Sequence, residues 1–250
     1  MKPVIGLSSN SRRDSVDPWR SQIYLDAVYL DAVEAAGGLP VALPVPQTPD
    51  PALLDELIAA CDGLVFTGGF DLHPHHFGDE PVHPKAIVLD ERRDRFEVEL
   101  FRRADAARLP ILAICLGHQI AHVARGGALI QHIDDLDRPT PVTHYLASGH
   151  PALHSVRIEP GSRLASVVGG TEIEVNSRHH QAVDHRRPVH NLRPVAWSPD
   201  GLLEGAEDCD GRFLLCVQWH PEDLFDRPEH LRLFEAVVHE ARAWRTQRRS

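Results

Sequence analysis

The apolar positions of the first half come in short unbroken runs separated by longer periodic stretches. Residues 4–7, 39–43 and 64–66 each read as a strand. Residues 110–115 (Pro-Ile-Leu-Ala-Ile-Cys) show no polar alternation at all, as expected of a strand buried on both faces in a parallel sheet. Between these runs the period changes to that of a helix. Leu25, Val28, Ala32 and Ala35 mark a helix over 22–36 that ends at Gly37-Gly38. Asp50 and Pro51 are the cap and first position of a helix over 51–60. Phe96, Leu100 and Ala104 mark a third helix over 90–107. Strands alternating with helices predict right-handed crossovers and an α/β doubly wound sheet with helices on both faces.

The second half is patterned differently. Residues 154–158, 172–175, 194–197, 202–207 and 213–217 are short strand candidates joined by turns, which predicts an antiparallel extension of the same, mostly parallel sheet. A closing helix over 228–244 carries Leu231, Phe234, Val238 and Ala241 on one face. With no repeat, linker or composition break, residues 1–250 are expected to form a single domain.

Composition narrows the function. The 42% hydrophobic and 25% charged residues are those of a globular chain. A net charge of −10 repels phosphate backbones, so no nucleic-acid partner is expected. The apolar start at residues 1–7 is too short for a signal-peptide core, and no run approaches the ~20 apolar residues of a membrane span. Cys61, Cys115, Cys209 and Cys216 form no C-x-x-C pair and are too sparse for a disulfide framework. They read as reduced thiols, and the protein is expected in the cytoplasm.

One cysteine stands apart. Cys115 ends the apolar strand and is followed by Gly117 and a helix, the strand–turn–helix of a nucleophile elbow. The start of the next helix favours the thiolate through its dipole. A second strand end, near the C-terminus, carries Gln218-Trp219-His220-Pro221-Glu222. A histidine there with a carboxylate two residues on is suited to act as a base and its orienter. Both strand ends can meet above the carboxyl edge of one sheet, where open α/β sheets place their sites.

These segments resemble a known family. Ile114-Cys115-Leu116-Gly117-His118-Gln119 and the Q-x-H-P-E run at 218–222 are similar to the paired motifs of class I glutamine amidotransferases and their hydrolase relatives. The runs at 67–78, 175–181 (Val-Asn-Ser-Arg-His-His-Gln) and 198–204 resemble the γ-glutamyl-γ-aminobutyrate hydrolase branch, which is peptidase C26-like, as does the helix entry at 89–97. The resemblance implies a flavodoxin-like fold and a hydrolase cleaving the γ-glutamyl amide bond of a small molecule, in a setting of polyamine catabolism. Cys115 is the implied nucleophile, His220 its base and Glu222 the orienter. The backbone amides of Gly69 and Leu116 would hold the oxyanion. Gln119, Asn176, His179 and His180 would contact substrate. No cofactor is implied, and a homodimer is left open.

Three positions depart from the branch: Ala113 replaces a usual glycine, Leu116 a frequent arginine, and Phe77 a common tyrosine. Leu116 and His118 lean toward an alternative, a glutaminase subunit delivering ammonia from glutamine to a synthase. A catalytically dead scaffold is disfavoured by the intact Cys115, His220 and Glu222. The 17 histidines raise the question of metal. His73, His75, His76 and His83 lack a regular ligand spacing and read as a solvated rim, and His179-His180 as polar lining, so no metal is expected. The basic tail of Arg242, Arg245, Arg248 and Arg249 reads as a solvated helix end.

Overall fold

The computed structural model describes residues 1–13, 17, 20–89, 91–137, 142–146, 149–187 and 189–249. In chain order its elements begin with β1 (Val4–Leu7), β2 (Asn10–Arg13), β3 (Ser21–Tyr24), α1 (Ala27–Ala35), β4 (Leu39–Ala42), α2 (Pro51–Ala60) and β5 (Gly63–Phe66). Then come α3 (Glu91–Ala106), β6 (Ile111–Ile114), α4 (Leu116–Ala124), β7 (Leu129–Ile130), β8 (Ala152–Ile158), α5 (Arg163–Val168) and β9 (Glu172–Ser177). The chain finishes with β10 (Ala182–Val183), β11 (Leu192–Trp197), β12 (Leu203–Asp208), β13 (Leu214–Val217) and α6 (Pro228–Arg249).

A nine-stranded sheet in the order β4-β1-β5-β6-β13-β12-β11-β8-β9 runs through both halves. Strands β4 through β13 pair in parallel in the doubly wound order, and β13 through β9 pair antiparallel, as the two halves of the sequence predict. The sheet separates two apolar layers. Leu64, Phe66, Ile111 and Ala113 pack with Leu54, Phe96, Phe101 and Ile120 from α2, α3 and α4. The alternate positions Ile5, Leu7, Val65, Leu112 and Ile114 pack with Val33, Leu164, Phe234 and Val238 from α1, α5 and α6. All four residues of β5, β6 and β13 are buried, which accounts for their unbroken apolar runs. Among the described residues no helix is long and apolar enough to cross a membrane.

The differences from expectation are local. Residues 22–24 read as helix but belong to β3, an antiparallel partner of β2. Arg12 explains the pairing: its Nε donates to Gln22 Oε1 at 2.8 Å, and its guanidinium lies 5.1 Å from the Tyr24 ring centre. The helix therefore starts only after Asp26. Helix α5 went unseen, although Ser162 caps its start and Gly169, at φ +81°, ends it. Asp90, the expected start of the third helix, lies outside the described residues. The basic tail is not merely solvated: Arg245 donates to Lys2 O at 2.9 Å and Arg248 to Ala59 O at 2.9 Å, so it pins α6 to the N-terminal strand and α2.

Candidate active site

Sheet register brings the two sequence motifs together. Ile114 pairs with Val217 across β6 and β13, so Cys115 and Gln218 leave the sheet side by side. The Cys115 amide donates to Val217 O at 2.8 Å, and Gln218 Nε2 lies 3.5 Å from Cys115 Sγ. Cys115 sits at φ +51°, ψ −103°. Such a backbone costs a non-glycine residue about 1–3 kcal/mol. It is the sharp turn that lifts the thiol clear of the strand. Gly117 makes the turn possible, because a Cβ there would lie 2.5 Å from Phe66 O.

Two residues beyond Gln218, His220 faces this thiol. Its Nδ1 lies 2.6 Å from Glu222 Oε1. A carboxylate only accepts, so Nδ1 carries the proton and Nε2 is left for Cys115, with which the imidazole is hydrogen-bonded. Burial works against a charge on His220. Glu222 and Cys115 together outweigh it and hold the imidazole well above its ordinary range. Asn176, from the end of β9, accepts from the His220 amide at 2.9 Å and donates to its carbonyl at 2.9 Å. Expected at the substrate rim, Asn176 is instead buried, with both ends of its amide spent on the His220 backbone.

The loop after β5 closes the third side. Tyr29 of α1 accepts from the Gly68 amide at 2.9 Å and hydrogen-bonds Glu222, and burial pushes its phenol well above the usual range. A Cβ on Gly68 would lie 2.7 Å from His220 Cε1, so only glycine lets this loop approach the imidazole. Behind the loop, buried Arg93 of α3 donates Nη2 to Gly68 O at 3.1 Å and Thr67 O at 3.3 Å, and bonds Asn10. Its charge is met by Glu97, 2.8 Å away and fully buried. Arg93 thereby fixes the backbone beside Gly69. Leu116 occupies the first position of α4, where helix amides have no partner within the helix.

The remaining expected residues divide. Gln119, one turn into α4, is buried and donates to Gln181 O at 3.2 Å. His180 Nε2 lies 2.8 Å from Asp71 Oδ2, tying the 175–181 segment to the loop after β5. His179 turns inward instead of lining a rim: its Nδ1 is 2.9 Å from Gln181 O and its Nε2 3.5 Å from Glu204 Oε1. Burial holds His118 down to about 3, so it is neutral. The sequence assigns no role to Tyr29, Arg93, Glu97 or Gln218, although Arg93, Glu97 and Gln218 stand in the motifs at 89–97 and 218–222.

A family model described as Peptidase C26 matches residues 3–222. Rv2859c of Mycobacterium tuberculosis, named as a candidate glutamine amidotransferase, is 37% identical over 95% of this chain and 74% of its own. The γ-glutamyl-γ-aminobutyrate hydrolase PuuD of Escherichia coli K12 is 35% identical over 79% of this chain and 78% of its own. Among solved structures, the glutaminase domain of Trypanosoma brucei CTPS with bound acivicin superposes with a TM-score of 0.64 at 18% identity, covering 95% of this chain and 94% of that one. This last likeness speaks for the fold alone.

Proposed function

The chain belongs to the Peptidase C26 family, and from that premise we propose that it hydrolyses the γ-glutamyl amide bond of a γ-glutamyl amine such as γ-glutamyl-γ-aminobutyrate. The observation that carries the reading is His220, hydrogen-bonded to Cys115 on one side and 2.6 Å from Glu222 on the other. Cys115 Sγ attacks the γ-carbonyl carbon, forming the S–C bond. The oxyanion is held by the amides of Leu116 and Gly69, the second aligned by the Arg93 clamp. His220 gives its proton to the departing amine as the C–N bond breaks. A water then yields a proton to His220 and attacks the thioester, releasing glutamate and restoring the thiolate. Gln119 and His180 are the proposed contacts for the α-amino and α-carboxylate groups. None of these steps calls for a cofactor, and the four free thiols agree with a reducing, cytoplasmic setting.

A second reading, ammonia delivery from glutamine to a synthase, is favoured by Leu116 and by relatives named as amidotransferases. The test of the proposal is glutamate release from γ-glutamyl-γ-aminobutyrate by the purified chain, compared with Cys115→Ala. Release should vanish in the variant while its circular dichroism is unchanged. Equal release by both would remove Cys115 from the chemistry.

A further inference from the structure

Below the wall that carries Asn176, three histidines and a carboxylate converge in the antiparallel half of the sheet. Glu204 of β12 is fully buried, and its Oε1 lies 3.5 Å from His144 Nδ1, 3.5 Å from His179 Nε2 and 3.8 Å from His154 Nε2. The ligand atoms of His144, His154 and Glu204 all lie within 4.8 Å of one another. These separations exceed a good hydrogen bond. Neither Glu204 oxygen, nor Nε2 of His154 or His179, makes a well-formed hydrogen bond in this buried site; the nearest approach among these atoms, His179 Nε2 to Glu204 Oε1, is a long 3.5 Å.

The outer nitrogens of the same rings fix where the protons are. His154 Nδ1 is 3.0 Å from Ser155 O, and His179 Nδ1 is 2.9 Å from Gln181 O. Carbonyl oxygens only accept, so both Nδ1 atoms carry hydrogen, and in the neutral rings both Nε2 atoms present lone pairs toward Glu204. His144 Nε2 lies 3.1 Å from Asp200 Oδ2, a second acceptor-only partner, which turns the Nδ1 lone pair toward Glu204; Ser177 Oγ is a longer 3.4 Å from that nitrogen. With the three rings neutral, three lone pairs and a carboxylate point at one another from four directions.

A cation between them resolves the conflict. Ligands at about 2.0–2.1 Å around a tetrahedral ion are about 3.3–3.4 Å apart; the approaches to Glu204, at 3.5–3.8 Å, are near that value, and the atoms of His144, His154 and Glu204 would draw in from a spread of up to 4.8 Å. Histidines whose outer N–H is held by a carboxylate or carbonyl are oriented as metal ligands. One Zn²⁺ would be balanced in charge by Glu204 and Asp200, and a closed site of three imidazoles and one carboxylate suits that ion.

We propose that His144 Nδ1, His154 Nε2 and Glu204, with His179 Nε2 facing Glu204 as the fourth group, form a buried structural zinc site that stiffens the wall behind His220. The link is short: Ser177, beside His144, follows Asn176, which grips the His220 backbone. The metal takes no part in bond breaking, so the site stands or falls independently of the reaction assigned to Cys115.

The test is zinc content of the full chain after incubation with ZnCl₂ and desalting, read by elemental mass spectrometry. About one zinc per chain is expected in the wild type and in Cys115→Ala, and below about one tenth in Glu204→Gln and His154→Ala. X-ray absorption on the wild type guards against variants that fail to fold. It should show nitrogen and oxygen neighbours with imidazole scattering and no sulfur. Less than one tenth of an equivalent in the wild type, a sulfur neighbour, or full zinc in folded Glu204→Gln would each overturn the proposal.

Discussion

Two buried glutamates, one paired with a single histidine and the other with three, lie on either side of Asn176 and Ser177, and they differ in spacing. His220 and Glu222 are 2.6 Å apart, a made hydrogen bond that keeps a proton on the imidazole. Glu204 and its histidines stand 3.5–3.8 Å apart with their lone pairs facing inward. The same residue types are therefore suited to proton transfer in one place and to a cation in the other. About an ångström separates the two uses, and it comes from the backbone: His220 and Glu222 share one turn, whereas the other group is drawn from separate strands and loops.

The contrast can be broken first at His220. His220→Ala removes the proposed acid–base group and should lower kcat/KM by ~10²–10⁴. Glu222→Gln should cost less but also change the pH profile. Because Glu222 and Cys115 hold His220 charged well above its ordinary range, the alkaline limb of kcat/KM should lie well above neutral pH in the wild type and move down in Glu222→Gln. The same sign applies to folding: a raised histidine stabilises fully below its unfolded value, and the contribution is lost as pH rises through the folded one. An unmoved alkaline limb would mean that Glu222 does not hold the proton.

Asn176→Ala tests the wall between the two groups. It leaves the imidazole intact but frees the His220 backbone, so kcat should fall by ~10²-fold with little change in KM. Steady-state kinetics with both parameters resolved reads the difference. A rise in KM alone would return Asn176 to the substrate rim.

The smallest expected effect lies away from both groups. Burial pushes Asp94 up to about 7 from 3.8, although the His73 amide, bonded to it at 3.0 Å, acts in the opposite direction. The native state keeps a proton that the unfolded chain releases near pH 4. Its contribution is therefore complete below that value and is lost as pH rises toward 7. Urea unfolding at pH 5 and pH 7 should show a steeper decline in the wild type than in Asp94→Asn; parallel declines would exclude Asp94 as the source.

The parallel half of the fold was legible because buried strands leave unbroken apolar runs, and the helix over 51–60 carried its cap and proline in order. Cys115 and His220–Glu222 could be singled out because each motif is local and ends a strand. Tyr29, Arg93 and Asn176 act on loops far away in the chain, and nothing in local spacing marks a tyrosine that binds Gly68 or an asparagine that binds His220. The Glu204 group was hidden for the same reason. His179 and Glu204 stand in the motifs at 175–181 and 198–204, but His144 and His154 belong to no motif, and the four residues, scattered from 144 to 204, meet only in the antiparallel half of the fold.

The central claim is that this site turns over a γ-glutamyl amine by itself. The direct measurement is kcat/KM of the purified chain for γ-glutamyl-γ-aminobutyrate against glutamine, with and without added cell extract. A pocket that pairs both α groups and accepts a larger amine should favour γ-glutamyl-γ-aminobutyrate and be indifferent to extract. Preference for glutamine, or turnover only when extract is present, would contradict the hydrolase reading and move the chain to the ammonia-delivering role.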